Sequence, residues 1–421
     1  MTYSYQPRVI DATIAHLLAI SGAVLIEGVR ACGKTETGRH HSASMVRLDV
    51  DEELLALARI DPSLVLVGAA PRLIDEWQLE PQIWNHVRRA VDDRRLSGQF
   101  ILAGSATPAD DITRHSGAGR ILRLRLRPMS LFESGHSTGQ VSLSALLAGD
   151  SITSSASELS VPQIADRLCV GGWPGLLNLE PHDAQHMLRS YLDDVARVDI
   201  LVVAGTANRR DPVRVNRLLA AYARHIATSA SLATLAADTA ARDATAITAD
   251  TAREYLATLQ RIMVVEEQPS WAAQLRSRDV VRKAAVRHFA DPSLAIAALG
   301  ASTERLLADL NTLGLLFESL VIRDLRVYTQ PLDGDVLHYR DSSGQEADAI
   351  IQLRDGRWAA IEIKLGASAV DAAAASLHRL IAKTDLTKTG KPSALIVITG
   401  GKYAYTRPDG IHVVPLGTLQ P

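Results

Sequence analysis

Short apolar runs separated by amphipathic stretches dominate the first third of the chain. Residues 22–27 (Gly-Ala-Val-Leu-Ile-Glu), 64–68, 71–75 and 99–103 contain such runs, and 80–96 carries a helical pattern. At least two of the runs lack polar alternation, as strands of a parallel sheet do when both faces are covered. The alternation predicts an α/β domain with a mostly parallel sheet over residues 1–135, closed by the segment Arg120 to Phe132. Residues 136–160 are rich in Ser, Gly and Thr and read as a linker. Residues 161–302 are mainly helical. Within them Thr248 or Asp250 caps a helix through Leu259, and 263–268 reads as a strand. A small winged-helix module and a plain helical spacer both fit that pattern. The block 303–421 changes character. A helix over 303–326 precedes strands at 346–353 and 358–365, joined by the turn Arg354-Asp355-Gly356-Arg357, and two more apolar strands follow at 394–398 and 411–415.

Composition narrows the setting. The chain has 421 residues, enough for several domains with their own cores. The formal net charge is −2, so no global basic field marks a nucleic-acid partner. Local basic patches do exist. Arg120, Arg123, Arg125 and Arg127 form one, and Arg276, Arg278, Arg282 and Lys283 lie in another; these are the candidate DNA contacts. Two cysteines, Cys32 and Cys169, suit a reduced thiol state. No apolar run approaches the roughly 18 residues of a membrane span, and the first residues carry no secretory signal pattern. A cytoplasmic protein is expected.

The most specific chemistry lies at Gly28-Val29-Arg30-Ala31-Cys32-Gly33-Lys34-Thr35, followed by Glu36. The motif follows a predicted strand and precedes a predicted helix. Glycines let backbone N–H groups close around phosphate oxygens, Lys34 supplies a charge to them, and Thr35 offers a hydroxyl to Mg²⁺. ATP and Mg²⁺ are therefore the expected cofactors. The apolar run ending in Asp75-Glu76 supplies the second half of such a site. Asp75 would hold Mg²⁺ through water and Glu76 would polarise the attacking water. Ser105, at the tip of the next strand, would contact the γ-phosphate or the water, or simply occupy a turn. Arg120 would reach a neighbouring subunit's γ-phosphate, or remain solvated or face DNA. His40, His41 and His86 show no metal-ligand spacing.

The order Arg8, Gly28 to Thr35, Leu73-Ile74-Asp75-Glu76, Ala103-Gly104-Ser105, Gly119-Arg120 and Leu126-x-Pro128-Met129-Ser130-Leu131-x-Glu133 resembles one group of bacterial and archaeal AAA+ ATPases. In that group the ATPase is fused to a C-terminal domain of unknown function. The likeness continues through Gly171-Gly172-Trp173-Pro174, Tyr191-Leu192-x-Asp194, Asp199-Ile200, Tyr255-Leu256 and Phe289-x-Asp291-x-x-Leu294, and so spans nearly the whole chain. By analogy with AAA+ domains, which place nucleotide at subunit boundaries, a homo-oligomeric ring is expected.

A second constellation lies near the C-terminus. Glu362 and Lys364 alternate on one strand and share a face; Asp348 lies on the preceding hairpin strand, and Glu318 on the helix before them. An acid from a helix, then Asp, then Glu-x-Lys on a hairpin resembles the restriction-endonuclease-like core, in which carboxylates hold Mg²⁺ and the lysine positions or activates water. The usual proline before the aspartate is absent, since Ala347 stands there.

The expected fold is thus an N-terminal P-loop AAA+ domain, a central helical or winged-helix region and a C-terminal α/β restriction-endonuclease-like domain. The expected function is an ATP-hydrolysing protein acting on DNA, with branched DNA a candidate substrate and repair or mobile-element defence a candidate setting. The alternative is a nucleotide-driven switch that binds a protein partner and uses the C-terminal domain as an inert scaffold.

Overall fold

The computed structural model describes residues 5–104, 116–199, 211–240, 245–272 and 284–421. The chain divides into two compact units. One is built chiefly from Met1–Pro128, and the other from Met129–Val198, Arg209–Ala257 and Val265–Pro421.

The first unit contains α1 (Asp11–Ile20), β1 (Ala23–Glu27), α2 (Lys34–His40), β2 (Ser44–Arg47), α3 (Glu52–Ile60), β3 (Arg72–Asp75), α4 (Ile83–Arg94), β4 (Phe100–Gly104) and β5 (Ile121–Arg125). The strands form one sheet in the order β2-β3-β4-β1-β5, all pairings parallel. Leu25, Ile74, Phe100 and Leu102 pack with Val87 of α4 and with Trp77 and Trp84 in a single core cluster. Such unbroken apolar strands are what a sheet covered on both faces requires. The registers pair Glu27 with Gly104 and Asp75 with Ala103. The carboxyl ends of β1, β3 and β4 therefore lie side by side, the edge where parallel α/β sheets bind ligands.

One apolar run differs from its strand-like appearance. Pro62–Leu66 is a 3₁₀ helix, with Pro at its first position and the Asp61 carboxylate accepting the Ser63 N–H at 2.9 Å. Proline lacks the ladder donor, and the aspartate cap favours a turn over a strand.

In the second unit, residues 136–160 contribute β6 (Val141–Ser142), α5 (Leu143–Ala148) and β7 (Ser155–Ala156). The stretch read as a linker thus pairs with the C-terminal strands and buries Leu143, Leu146 and Leu147. Its serines act as caps and turn formers, which is why polarity alone suggested a loop: Ser142 Oγ accepts the Ala145 N–H at the start of α5.

Helices α6 (Val161–Val170), α7 (Pro181–Asp194), α8 (Pro212–Arg224), α9 (Leu232–Ala237) and α10 (Ala249–Arg261) follow, the last capped by Thr248, whose Oγ1 accepts the Thr251 N–H at 3.1 Å. Antiparallel bridges pair Val265 with Phe289 and Gln268 with Val286, so the strand read at 263–268 has a return partner.

Then come α11 (Pro292–Leu299), α12 (Thr303–Ala308), α13 (Leu310–Thr329), β8 (Gly334–Arg340), β9 (Glu346–Leu353), β10 (Trp358–Lys364), α14 (Val370–Lys383), β11 (Ala394–Thr399), β12 (Tyr403–Thr406), β13 (His412–Pro415) and β14 (Leu419–Gln420). The large sheet has the order β7-β12-β13-β11-β10-β9-β8. Strands β8, β9 and β10 form an antiparallel meander, and β11 lies parallel to β10 after the α14 crossover. Among the described residues no helix is long and apolar enough to cross a membrane.

Candidate functional site

The loop 28–35 leaves the end of central strand β1 and enters α2 directly. Gly33 takes φ +102° just before the helix, where a side chain would be strained, and Ala31 sits at φ +65°. Alternation of this kind turns successive N–H groups toward one concavity, an anion nest. The first N–H groups of α2 have no partner within the helix and complete it. Lys34 is buried, and its Nζ donates to the carbonyls of Gly28 and Val29 at 3.0 Å each. The ammonium is thereby held across the mouth of its own loop.

The loop is clamped from behind. A Cβ on Gly28 would lie 2.2 Å from the Leu126 carbonyl oxygen, so only glycine allows this approach to the end of β5. The buried Arg8 donates to the Cys32 carbonyl at 3.1 Å and to the Arg127 carbonyl at 2.7 Å. Cys32 is itself buried and faces the Leu126 carbonyl. Beside it Asp11 accepts from Tyr5 and lies 2.9 Å from His41 Nε2, while His40 stacks on Tyr5. The histidine pair thus has a carboxylate neighbour, about thirty residues away in sequence, that spacing did not reveal.

Thr35 Oγ1 donates to Asp75 Oδ2 at 2.9 Å, which joins the two halves of the motif. Asp75 is buried; burial pushes its carboxyl up, and the Thr35 hydrogen bond opposes that. A hydroxyl and a carboxylate converging beside a phosphate nest are the oxygen donors that Mg²⁺ takes together with nucleotide. The donor set fits the cofactor. Glu76 follows at φ +53°, a left-handed conformation that costs a non-glycine residue about 1 kcal/mol or more. It directs the carboxylate out of the strand, where Gln78 Nε2 donates to Glu76 Oε2. Gln78 carried no signal in the sequence, because its part depends on this local turn.

Arg120 lies at the start of β5, the opposite strand end from the loop, and pairs with Asp92 at 2.7 Å. Arg123 pairs with Glu27 at 3.2 Å and lies over the Trp84 ring. Arg125 ends β5 beside Glu27, and the Arg127 carbonyl belongs to the Arg8 clamp. Arg30 and Glu36 are exposed, and Glu36 pairs with Arg39 at 2.6 Å. Ser105, Arg276, Arg278, Arg282 and Lys283 lie outside the described residues.

In the second unit, the β9–β10 ladder runs to Ala349 opposite Ile361, and the next positions carry Asp348 and Glu362. Lys364 Nζ lies 2.9 Å from Asp348 Oδ2 and 2.9 Å from Glu362 Oε2. The Ile363 N–H also donates to Asp348 at 2.7 Å. Glu318, on α13, feels the charges of the same group. Burial first, then the Asp348 charge, holds its carboxyl well above the usual range. Glu362 is raised for the same two reasons, and its two acidic partners raise Lys364 against burial. Asp348, Glu362 and Lys364 thus form one ion-paired cluster, and Glu318 lies under its electrostatic influence.

Of the remaining family-like motifs, those around Met129, Gly172 and Asp291 bond to one another, and Ile200 lies outside the described residues. Asp291 accepts from Arg323 at 2.7 Å and from the Gly172 N–H at 2.9 Å, and the Met129 N–H donates to the Gly172 carbonyl at 2.6 Å. Asp324 accepts from Arg323 and from the Leu131 N–H, and Trp173 Nε1 donates to Ser293. Glu133 caps the turn at Ser130.

Three segments of the chain match known families. Residues 21–134 match the family described as AAA domain, which supports a P-loop ATPase domain of the AAA+ type. Residues 161–305 and 313–419 match two families described as domains of unknown function, DUF8612 and DUF4143. Uncharacterized proteins Mb2031c of Mycobacterium bovis and Rv2008c of Mycobacterium tuberculosis are each 24% identical over 96% of this chain and 82% of their own length. A DNA replication initiation factor of known crystal structure aligns over 60% of this chain and 90% of its own, at 14% identity and a TM-score of 0.26, too slight a likeness to carry an argument.

Proposed function

We propose that the protein binds and hydrolyses ATP with Mg²⁺ and couples this to work on DNA through its C-terminal domain. The observation that carries the proposal is the convergence of Lys34, Thr35, Asp75 and Glu76 at the carboxyl edge of one parallel sheet. Lys34 and the loop amides neutralise phosphate oxygens. Thr35 and Asp75 supply the oxygen donors for Mg²⁺, which when bound spreads the charge that develops on the phosphates. Glu76 takes a proton from the attacking water. The proposed assembly is a homo-oligomer.

The DNA assignment rests on the C-terminal unit. What supports a restriction-endonuclease-like reading is the succession of α13, three antiparallel strands, α14 and a parallel β11, together with the Asp348–Lys364–Glu362 ion pairs and Glu318 on α13. Lys364 bridges both acids and already neutralises part of their charge, which favours DNA binding over cleavage.

ATP turnover and DNA binding test the proposal together. Lys34→Ala is expected to abolish nucleotide binding, and Glu76→Gln to retain ATP without turnover. ATPase rate measured with linear, single-stranded and four-way DNA should rise with one of these shapes, and DNA affinity should fall steeply with salt. Unaltered hydrolysis in Glu76→Gln removes that residue's assignment. A rate blind to every DNA, with no retarded complex at low salt, removes the DNA reading in favour of a protein-binding switch. DNA cleavage with Mg²⁺ or Mn²⁺ that is lost in Glu362→Ala would assign the cluster to catalysis instead.

A further inference from the structure

Gln78 combines three features that its neighbours do not explain. Its Nε2 donates to Glu76 Oε2 across a single intervening residue, made possible by the left-handed backbone at Glu76. Among the described residues its Oε1 is buried without a hydrogen-bond partner. That oxygen is wedged against the end of β4, where a Cβ on Gly104 would lie 2.2 Å from it. A buried amide oxygen left unpaired is costly, and turning the side chain toward solvent would relieve it. The side chain keeps this position at the expense of its own oxygen, and what it gains there is the bond to Glu76. Trp77, between them, is buried against Trp84 and fixes the turn, while Gly104 leaves the room that the amide occupies.

We infer that Gln78 is a positioning residue for hydrolysis, acting through Glu76. Its amide fixes the direction of the carboxylate that receives the water's proton. The inference rests on the ATPase reading above. In the step concerned, the water oxygen bonds to the γ-phosphorus, the bond to the β–γ bridging oxygen breaks with its electron pair leaving on ADP, and the water proton passes to Glu76. Gln78 exchanges no proton.

Steady-state ATPase kinetics on the full chain, with nucleotide affinity measured separately, test the assignment. Gln78→Leu keeps the size of the side chain and removes the donor. Gln78→Glu keeps its shape but replaces the donor with a second carboxylate. Both are expected to lower kcat by about 10- to 100-fold, the cost of misplacing a reacting group, while KM and ATP affinity stay within about twofold of wild type. Gly104→Ala, which pushes on the amide from the other side without altering it, should lower kcat in the same way. Unchanged or raised kcat in Gln78→Leu overturns the inference, as does a parallel collapse of affinity and thermal stability. If the wild-type protein itself shows no ATP turnover, the ATPase reading fails; wild-type turnover with an indifferent Gln78→Leu sinks the positioning role alone.

Discussion

Replacing Lys364 with methionine keeps most of the side-chain volume and deletes the charge that holds the C-terminal cluster together. In the native protein the ammonium lies 2.9 Å from both Asp348 and Glu362, with the side chains 32%, 17% and 7% exposed respectively. Removing one partner of a fully buried pair costs about 3–5 kcal/mol. Lys364 retains about a third of its exposure, so solvent screening reduces the expected loss to about 2 kcal/mol. For a unit of this size that corresponds to a fall in Tm of about 4–8 °C.

The loss should depend on pH in a definite direction. Glu318 and Glu362 already have carboxyls raised by burial and by neighbouring acids, and without the ammonium they rise further. A carboxyl whose folded value lies above its unfolded value contributes stability that is fully present below the unfolded value and is lost as pH rises through the folded one. The destabilisation should therefore be largest near about pH 8 and shrink as the solution is acidified toward the ordinary carboxylate value of about 4.3. At the higher pH, Mg²⁺ or Mn²⁺ should restore stability in Lys364→Met more than in wild type, because a cation then takes the place of the lost ammonium beside Asp348 and Glu362. Thermal unfolding at two pH values, with and without metal, measures all of this. A loss that is the same at both pH values, or a metal effect no larger than in wild type, would refute the electrostatic account and leave only a packing defect.

Two further variants probe the framework around the sites. Arg8→Lys cannot span both the Cys32 and Arg127 carbonyls with one ammonium, and should weaken ATP binding by about tenfold, equivalent to the roughly 1.4 kcal/mol expected of a lost charged hydrogen bond, as read by titration with a fluorescent nucleotide. Arg323→Met leaves the fully buried Asp291 and Asp324 unneutralised; a loss of about 3–5 kcal/mol is expected, visible as early unfolding of the second unit by circular dichroism.

The phosphate loop was legible in the sequence because its chemistry is carried by the backbone. A nest of N–H groups needs glycine where φ turns positive, as at Gly33, and where chain meets chain, as at Gly28. Those needs leave a fixed spacing in the sequence. The alternate-residue rule likewise placed Glu362 and Lys364 on one face, and the hairpin turn brought Asp348 opposite. Other contributions left no such trace. The run 64–68 was one of four apolar runs that could have been strands, but the Asp61 cap and Pro62 set a 3₁₀ helix over Pro62–Leu66. Residues 136–160 looked like a linker because their serines serve as caps. Gln78 looked like any polar residue after a strand, since its contact with Glu76 requires a backbone conformation that sequence does not announce.

The segments around Met129, Gly172, Asp291 and Arg323 specify packing more than chemistry. Burying Asp291, Arg323 and Asp324 together is tolerable only if nearly every lone pair and N–H finds a partner. The structure meets that condition with backbone from distant segments: Gly172 on Asp291, Leu131 on Asp324, and Met129 on the Gly172 carbonyl. A Cβ on Gly172 would lie 2.1 Å from the Met129 carbonyl oxygen, so the glycine is required by close approach. The same reasoning explains why these motifs, however specific, say nothing about substrate. Their hydrogen bonds are made to one another inside the second unit. Groups with unspent capacity are found elsewhere, at the loop amides, at the Asp75–Glu76 turn and in the excess carboxylates around Lys364, and it is there that ligand chemistry must be sought.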